Sequence, residues 1–247
     1  MVRKSCQETQ RVSPIAPGGS RFLREDGKYI QGVILISRTI LTVGSGVYAT
    51  PEDTRFLIFK ATGAGAGAGG ITLVVPGIAV TGGGASGEYA ELTVNSPEAQ
   101  YNWVVGAGSA GGIGGGAGAG GDTTVDDSTG QILKAQGGRG GPGAAAPAVA
   151  DGAVLGAANY PPGAGYDFAT GTRQGESGFI LGGLAFGISG RGGHSFYGSG
   201  GDPVILGNGL NGAVPGGGGG GAVANPGPAV LNGGNGGDGM LIVEAYA

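Results

Sequence analysis

The chain has 247 residues, of which 63 are Gly, 13 are Pro and one is Cys, and only 12% carry a charge, against ~7% Gly and ~25% charged residues in an ordinary domain. A helical bundle is excluded because an interior Gly costs about 0.5–1 kcal/mol relative to Ala, collagen because Gly does not recur at every third position, and a disulfide scaffold because Cys6 has no partner in the chain. The net charge of −4 argues against nucleic-acid binding, no apolar run approaches the ~18 residues of a membrane span, and no apolar core follows the basic start, so no secretory signal is read and synthesis in the cytosol is expected.

Only six Gly fall in residues 1–60, against 57 in the remainder. Val33-Ile34-Leu35-Ile36 and Thr39-Ile40-Leu41-Thr42-Val43 read as strands. Arg55-Phe56-Leu57-Ile58-Phe59-Lys60-Ala61 is the clearest strand pattern, aromatic and β-prone between Pro51 and Gly63. Ile71-Thr72-Leu73-Val74-Val75 is a strand stopped by Pro76-Gly77. Glu88-Tyr89-Ala90-Glu91-Leu92-Thr93-Val94 alternates polar and apolar residues, and Asn95-Ser96-Pro97-Glu98 reads as a turn. Gln100-Tyr101-Asn102-Trp103-Val104-Val105 is its expected antiparallel partner, making a hairpin. Gln131-Ile132-Leu133-Lys134-Ala135 and Pro203-Val204-Ile205-Leu206 are further short strands, and Met240-Leu241-Ile242-Val243-Glu244-Ala245-Tyr246 is the last. No segment carries a 3.6-residue apolar period with helix caps.

The Gly-rich runs, such as 63–70, 111–121 and 216–221, have no side chains to bury. Either they stay disordered, because ordering costs about 1–2 kcal/mol of backbone entropy per residue, or they pack as polyproline-II helices whose bare backbones bond to one another. Strands on both sides supply a frame, which favours ordered loops. The expectation is an all-β antiparallel sandwich, jelly-roll-like, with long Gly-rich and partly polyproline-II loops.

The run Gly46 to Gly65, with Tyr48-Ala49-Thr50-Pro51 leading through the strand at 55–61 into Gly63-Ala64-Gly65, resembles the opening of a glycine-rich domain found at the tips of bacteriophage tail fibres. Gly82 to Glu91, Val105 to Gly112, Leu133 to Gly141 and Gly233 to Tyr246 follow in the order of that pattern. Pro17 to Tyr29, with its Asp26-Gly27 turn, is similar to a segment that precedes the distal domain in phage fibres. Residues 142–200 are longer and richer in aromatics and Pro than the generic pattern. The resemblance implies an attachment segment, residues 1–45, that joins other virion proteins, and a distal head, residues 46–247. It also implies a homotrimer located in the virion, and a chain this poor in large side chains gains from burial between subunits.

The implied activity is adsorption to a bacterial surface receptor, glycan or pilus, without catalysis, cofactor or metal. Asn159-Tyr160-Pro161-Pro162-Gly163-Ala164-Gly165-Tyr166-Asp167-Phe168 gathers aromatics and polar groups in a Pro/Gly frame. Tyr160, Tyr166, Asp167, Arg173, His194 and Tyr197 are the candidate receptor-binding residues, although the tyrosines suit a small core equally well. Phe179, Phe186 and Phe196 are expected in that core. His194 is the only His and reads as a loop residue rather than half of a Ser195 pair; Asp122, Asp126 and Asp127 cluster, but Asp126-Asp127-Ser128-Thr129-Gly130 reads as a turn between strands rather than part of a glycosidase pair. Two rivals remain: a purely structural virion protein, and a depolymerase of surface polysaccharide.

Overall fold

The computed structural model describes residues 21–23, 29–74, 77–144, 152–154, 156–158, 161, 163–181, 186–225 and 229–247. Among them every regular element is a β-strand. In chain order these are β1 (Arg21–Leu23), β2 (Tyr29–Gln31), β3 (Leu35–Leu41), β4 (Gly44–Ala49), β5 (Phe56–Thr62) and β6 (Ile71–Leu73). Next come β7 (Ala79–Val80), β8 (Tyr89–Val94), β9 (Gln100–Val105), β10 (Thr123–Asp127), β11 (Gly130–Ala135) and β12 (Gly152–Val154). The last are β13 (Phe168–Thr170), β14 (Gly178–Leu181), β15 (Phe186–Ile188), β16 (Val223–Ala224), β17 (Ala229–Leu231) and β18 (Met240–Tyr246).

The longer strands form a sandwich, here called the base. One sheet runs β13-β8-β5-β18-β3 and the other β11-β10-β9-β4, all antiparallel. Period-two alternation turns Leu57, Phe59 and Ala61 of β5 and Leu241, Val243 and Ala245 of β18 inward. They meet Tyr48, Tyr101, Val105, Val125, Leu133 and Ala135 of the facing sheet. Phe59 and Tyr101 pack edge to face, with ring centroids 5.0 Å apart. β3 lies ahead of position 46, yet it pairs along its length with β18.

The expected hairpin of residues 88–105 does not form. β8 pairs with β5 and β13, and β9 pairs with β4 and β10, so the turn at 95–98 carries the chain from one layer to the other. The apolar run 203–206 is not a strand either; it is loop and bend.

Above the base the Gly-rich runs form an ordered array. Along 63–70 the backbone N–H groups turn through three neighbours with a period of three. Gly63 and Ala66 donate to the carbonyls of Glu88 and Ala85, Ala64 and Gly70 to Gly121 and Gly115, and Gly65 and Ala68 to Gly237 and Gly234. Three further segments donate back: Gly138, Gly141 and Ala144 to Ala64, Gly67 and Gly70, Ser109 and Gly112 to Gly65 and Ala68, and Gly219 to Ala66. Three residues per turn with every bond directed outward is polyproline-II geometry. The run is thus a central column among six others, and Ala64, Ala66 and Ala68 are fully buried. Residues 81–88 and 216–222 are bonded on several sides in the same way.

Close approach explains the glycine. A Cβ on Gly65 would lie 2.0 Å from the carbonyl oxygen of Gly217, and one on Gly87 would lie 1.9 Å from that of Gly63. Neither residue has a left-handed φ, so room rather than handedness excludes a side chain. Where no carbonyl is available, a side chain substitutes: the buried Thr81 hydroxyl donates to Gly69 (2.8 Å) and accepts from the Ala222 N–H (2.8 Å). Each of these N–H groups is thereby satisfied, which avoids about 1–3 kcal/mol per orphaned group.

Candidate functional site

The columns carry the chain away from the base and back, and their turns assemble at the far end. There β6 pairs with β17, β7 with β16, and β14 with β12 and β15. Ile71, Leu73, Ala79, Ala222 and Ala224 make one small core below these turns; Ile78, Val80, Ile180 and Val223 make another. Alternation along β14 and β15 buries Ile180 and Gly187 and leaves Phe179, Leu181, Phe186 and Ile188 on the outer face. Val74, Ile113, Ile205, Leu206 and Val230 are exposed as well. Residues 71–80, 178–188, 203–210 and 223–231 contain no Asp, Glu, Lys, Arg or His. The far end is therefore apolar and nearly free of charge, whereas the base carries ion pairs.

A second cluster lies where the base meets the array. Tyr89, fully buried at the start of β8, stacks on Phe196 with centroids 4.2 Å apart and planes 8° from parallel. Tyr197 and Phe168 stand edge-on to this stack. Phe168, Phe196 and Tyr197 are each about half exposed. Polar groups continue from the cluster across the sheet. The Tyr89 hydroxyl donates to Glu91 and lies 3.3 Å from the Tyr197 hydroxyl. Glu91 is the cross-strand partner of Lys60, whose ammonium bonds Glu244 at 2.9 Å; Arg38 (3.5 Å) and the Tyr246 hydroxyl (3.0 Å) also reach Glu244. Burial and the bond to Glu91 push the Tyr89 phenol far above its ordinary range, so it stays a neutral donor. Burial alone would raise the Glu244 carboxyl, but Lys60, Tyr246 and Arg38 together hold it below its ordinary value. The bond to Glu244 raises the Lys60 ammonium.

The candidate residues from sequence are spread rather than gathered. Tyr160 lies outside the described residues. Tyr166 is a clamp: it packs against the base core, and its hydroxyl donates to the Lys134 carbonyl and accepts from the Lys134 N–H, both at 3.1 Å. The exposed Asp167 carboxylate accepts the Thr93 N–H at 2.6 Å. The Arg173 N–H donates to the Ser86 hydroxyl (3.0 Å) while its side chain is exposed. His194 is exposed and its Nδ1 accepts the Gly200 N–H at 3.3 Å. Of the six, Tyr197 joins the aromatic cluster.

Phe179, Phe186 and Phe196 are not core residues: each is exposed, because the alternation of a two-layered element turns it outward or because it sits on the Tyr89 stack. Tyr89 and Lys60 are not among the candidates from sequence, where Glu91 counts only as a carboxylate facing away from Glu88 on the same strand. Their signal was present, since all three fall on one face of strands read correctly.

Ser195 turns its hydroxyl to the carbonyls of Pro215 (2.5 Å) and Gly198 (3.2 Å), away from any role with His194 Nδ1. Asp122 bonds Lys134 (2.6 Å) and the Gly137 N–H (2.8 Å), while Asp127 caps the turn at Thr129 and Gly130. Asp127 is held below its ordinary value by those bonds. Glu88, buried just before β8, accepts the N–H groups of Gly163 (2.6 Å) and Gln136 (3.0 Å). Among the described residues no group of three or more His, Cys, Asp or Glu comes together as a metal site.

An antiparallel sandwich extended by glycine columns defines a glycine-rich all-β protein. The chain belongs to the glycine-rich domain family, which it matches over residues 41–246. None of the curated proteins compared with it matches.

Proposed function

We propose that the chain is the host-recognition head of a bacteriophage tail fibre or tail tip, adhering to the bacterial surface without covalent chemistry. One observation carries this reading: an exposed, almost charge-free face of Phe179, Leu181, Phe186 and Ile188 is displayed at the end of a stiff backbone array. Large contiguous apolar surfaces on otherwise polar proteins serve contact with partners. The resemblance of residues 46–247 to phage fibre tips supplies the biological setting, with residues 1–45 joining other virion proteins and the assembly a homotrimer. Tyr197, with Phe168 and Phe196, is a second contact surface. Repeating such a face around a symmetry axis converts weak single contacts into firm attachment.

The test is adsorption to host cells. Purified head should bind them and block infection. Phe179→Asp with Phe186→Asp should abolish both while leaving thermal unfolding unchanged, and Tyr197→Ala tells whether the aromatic cluster contributes. Wild-type protein that neither binds nor blocks favours a purely structural virion protein; release of reducing sugar from host glycan favours a depolymerase.

A further inference from the structure

We propose that Asn208, Asn211, Asn232 and Asn235 are sites of spontaneous deamidation that the finished array holds closed, so that a chain left open is converted to isoaspartate and cannot rejoin the array. This holds whatever the far end binds.

Four of the eight Asn are followed directly by Gly, and all four lie in residues 208–212 and 232–236. These two stretches are neighbouring columns: the Gly209 and Gly212 N–H groups donate to the carbonyls of Asn232 (2.9 Å) and Asn235 (2.8 Å). Asn-Gly is open to deamidation because Gly places no Cβ beside the attacking nitrogen and leaves the backbone free to bend toward the side chain. The Gly amide nitrogen gives up its proton and bonds the Asn Cγ. That proton leaves with the side-chain amide as ammonia, and a five-membered succinimide remains. Water then opens the ring at one carbonyl to give Asp, or at the other to give isoaspartate, whose backbone is one carbon longer.

The array blocks the first step at both reacting groups. Each nucleophile is a bonded donor: besides Gly209 and Gly212, Gly236 donates to Ser109 (2.9 Å) and Gly233 to Gly112 (3.1 Å). Three of the side chains are held by their own oxygens. Asn208 Oδ1 accepts the Asn232 N–H (2.9 Å), Asn211 Oδ1 the Asn235 N–H (2.9 Å) and Asn235 Oδ1 the Gly111 N–H (2.8 Å). The exposed Asn232 side chain accepts no backbone N–H among the described residues, and the Gly233 bond is the longest of the four. Asn232-Gly233 is therefore the weakest lock.

The two products differ in fit. Asp238 lies three residues beyond Asn235, and its Oδ1 accepts the Gly108 N–H at 2.8 Å just as Asn235 accepts that of Gly111. A carboxylate thus suits such a position. Isoaspartate does not fit, because an extra backbone carbon offsets every later residue from the three-residue period. These columns have no slack to absorb it: even a Cβ on Gly209 or Gly234 would lie 2.0 or 1.9 Å from a carbonyl oxygen.

The test ages the full chain at mildly alkaline pH, half of it folded and half unfolded in guanidinium chloride, with Asp and isoaspartate scored at each site by peptide mass spectrometry. In the unfolded half all four Asn should convert, well ahead of Asn95 and Asn102. In the folded half Asn208, Asn211 and Asn235 should convert at least about tenfold more slowly, because reaction waits for local opening, and Asn232 should go first. Brief protease treatment of the aged folded half should digest the molecules that carry isoaspartate and leave survivors with Asn or Asp at these positions. Asn232→Ser should unfold as wild type does and delay the appearance of protease-sensitive molecules. Equal conversion in the two halves overturns the proposal, as do isoaspartate found equally among the survivors and a Ser variant that becomes sensitive on the wild-type schedule.

Discussion

In the base, Phe59 and Tyr101 meet ring to ring, and Leu57, Leu133 and Leu241 fill the space between two sheets. In the array, Ala64, Ala66 and Ala68 are as deeply buried, yet their column meets the backbones of its neighbours. The base derives its stability from apolar area removed from water. The array derives its own from backbone hydrogen bonds between neighbouring columns in a dry interior. A side-chain core can adjust rotamers around a defect. A lattice of carbonyls at contact distance cannot, because each atom is fixed from several sides.

Substitutions on the two sides sharpen this contrast. Gly65→Val places atoms within 2.0 Å of a carbonyl held by its own lattice bonds, and should cost about 4 kcal/mol or more, seen as loss of soluble folded protein. Phe59→Ala should cost about 3–5 kcal/mol in urea unfolding, as for a large residue deleted from a side-chain core. Glu244→Gln should cost about 1 kcal/mol at neutral pH, from lost charge-assisted bonds. The lowered carboxyl of Glu244 gives its pair a contribution that is present above the ordinary value of 4.5 and lost as the pH falls through the folded value. The raised Lys60 ammonium keeps its share below 10.5 and loses it as the pH rises through its folded value. The gap between wild type and the Gln variant should therefore be full at neutral pH and close in acid. The smallest effect belongs to Gly115→Ala: no atom lies within 4 Å of the added Cβ and φ is not left-handed. Stability should stay within about 0.5 kcal/mol of wild type, by thermal unfolding.

Sequence and structure agree where side chains carry the information. The strands at 55–61, 131–135 and 240–246 stand out as β-branched or aromatic runs between glycines, and each is a strand within one residue of the expected bounds. Pairing is less legible. Asn95-Ser96-Pro97-Glu98 reads as a turn whether the chain doubles back in one sheet or crosses to the other, and the distant register Leu57↔Val94 decides it. The array is the extreme case. Composition says that backbones must touch, but a column of Gly and Ala fits almost any neighbour. The steps that pair 63–70 with 85–88, 115–121 and 234–237 leave no mark that a local pattern could reveal. Exposure at the far end was hidden for a similar reason: Pro203-Val204-Ile205-Leu206 has the letters of a buried strand, and only the array beneath it shows that it lies on a surface.

β18 lies inside the five-stranded sheet, between β5 and the edge strand β3, and the residues leading into it, 232–239, bond to the central column. β18 is therefore the keystone of its sheet: without it β3 has no partner strand and β5 is left with an open edge. A chain lacking this one strand would hold every other strand of the sandwich and still be unable to close it.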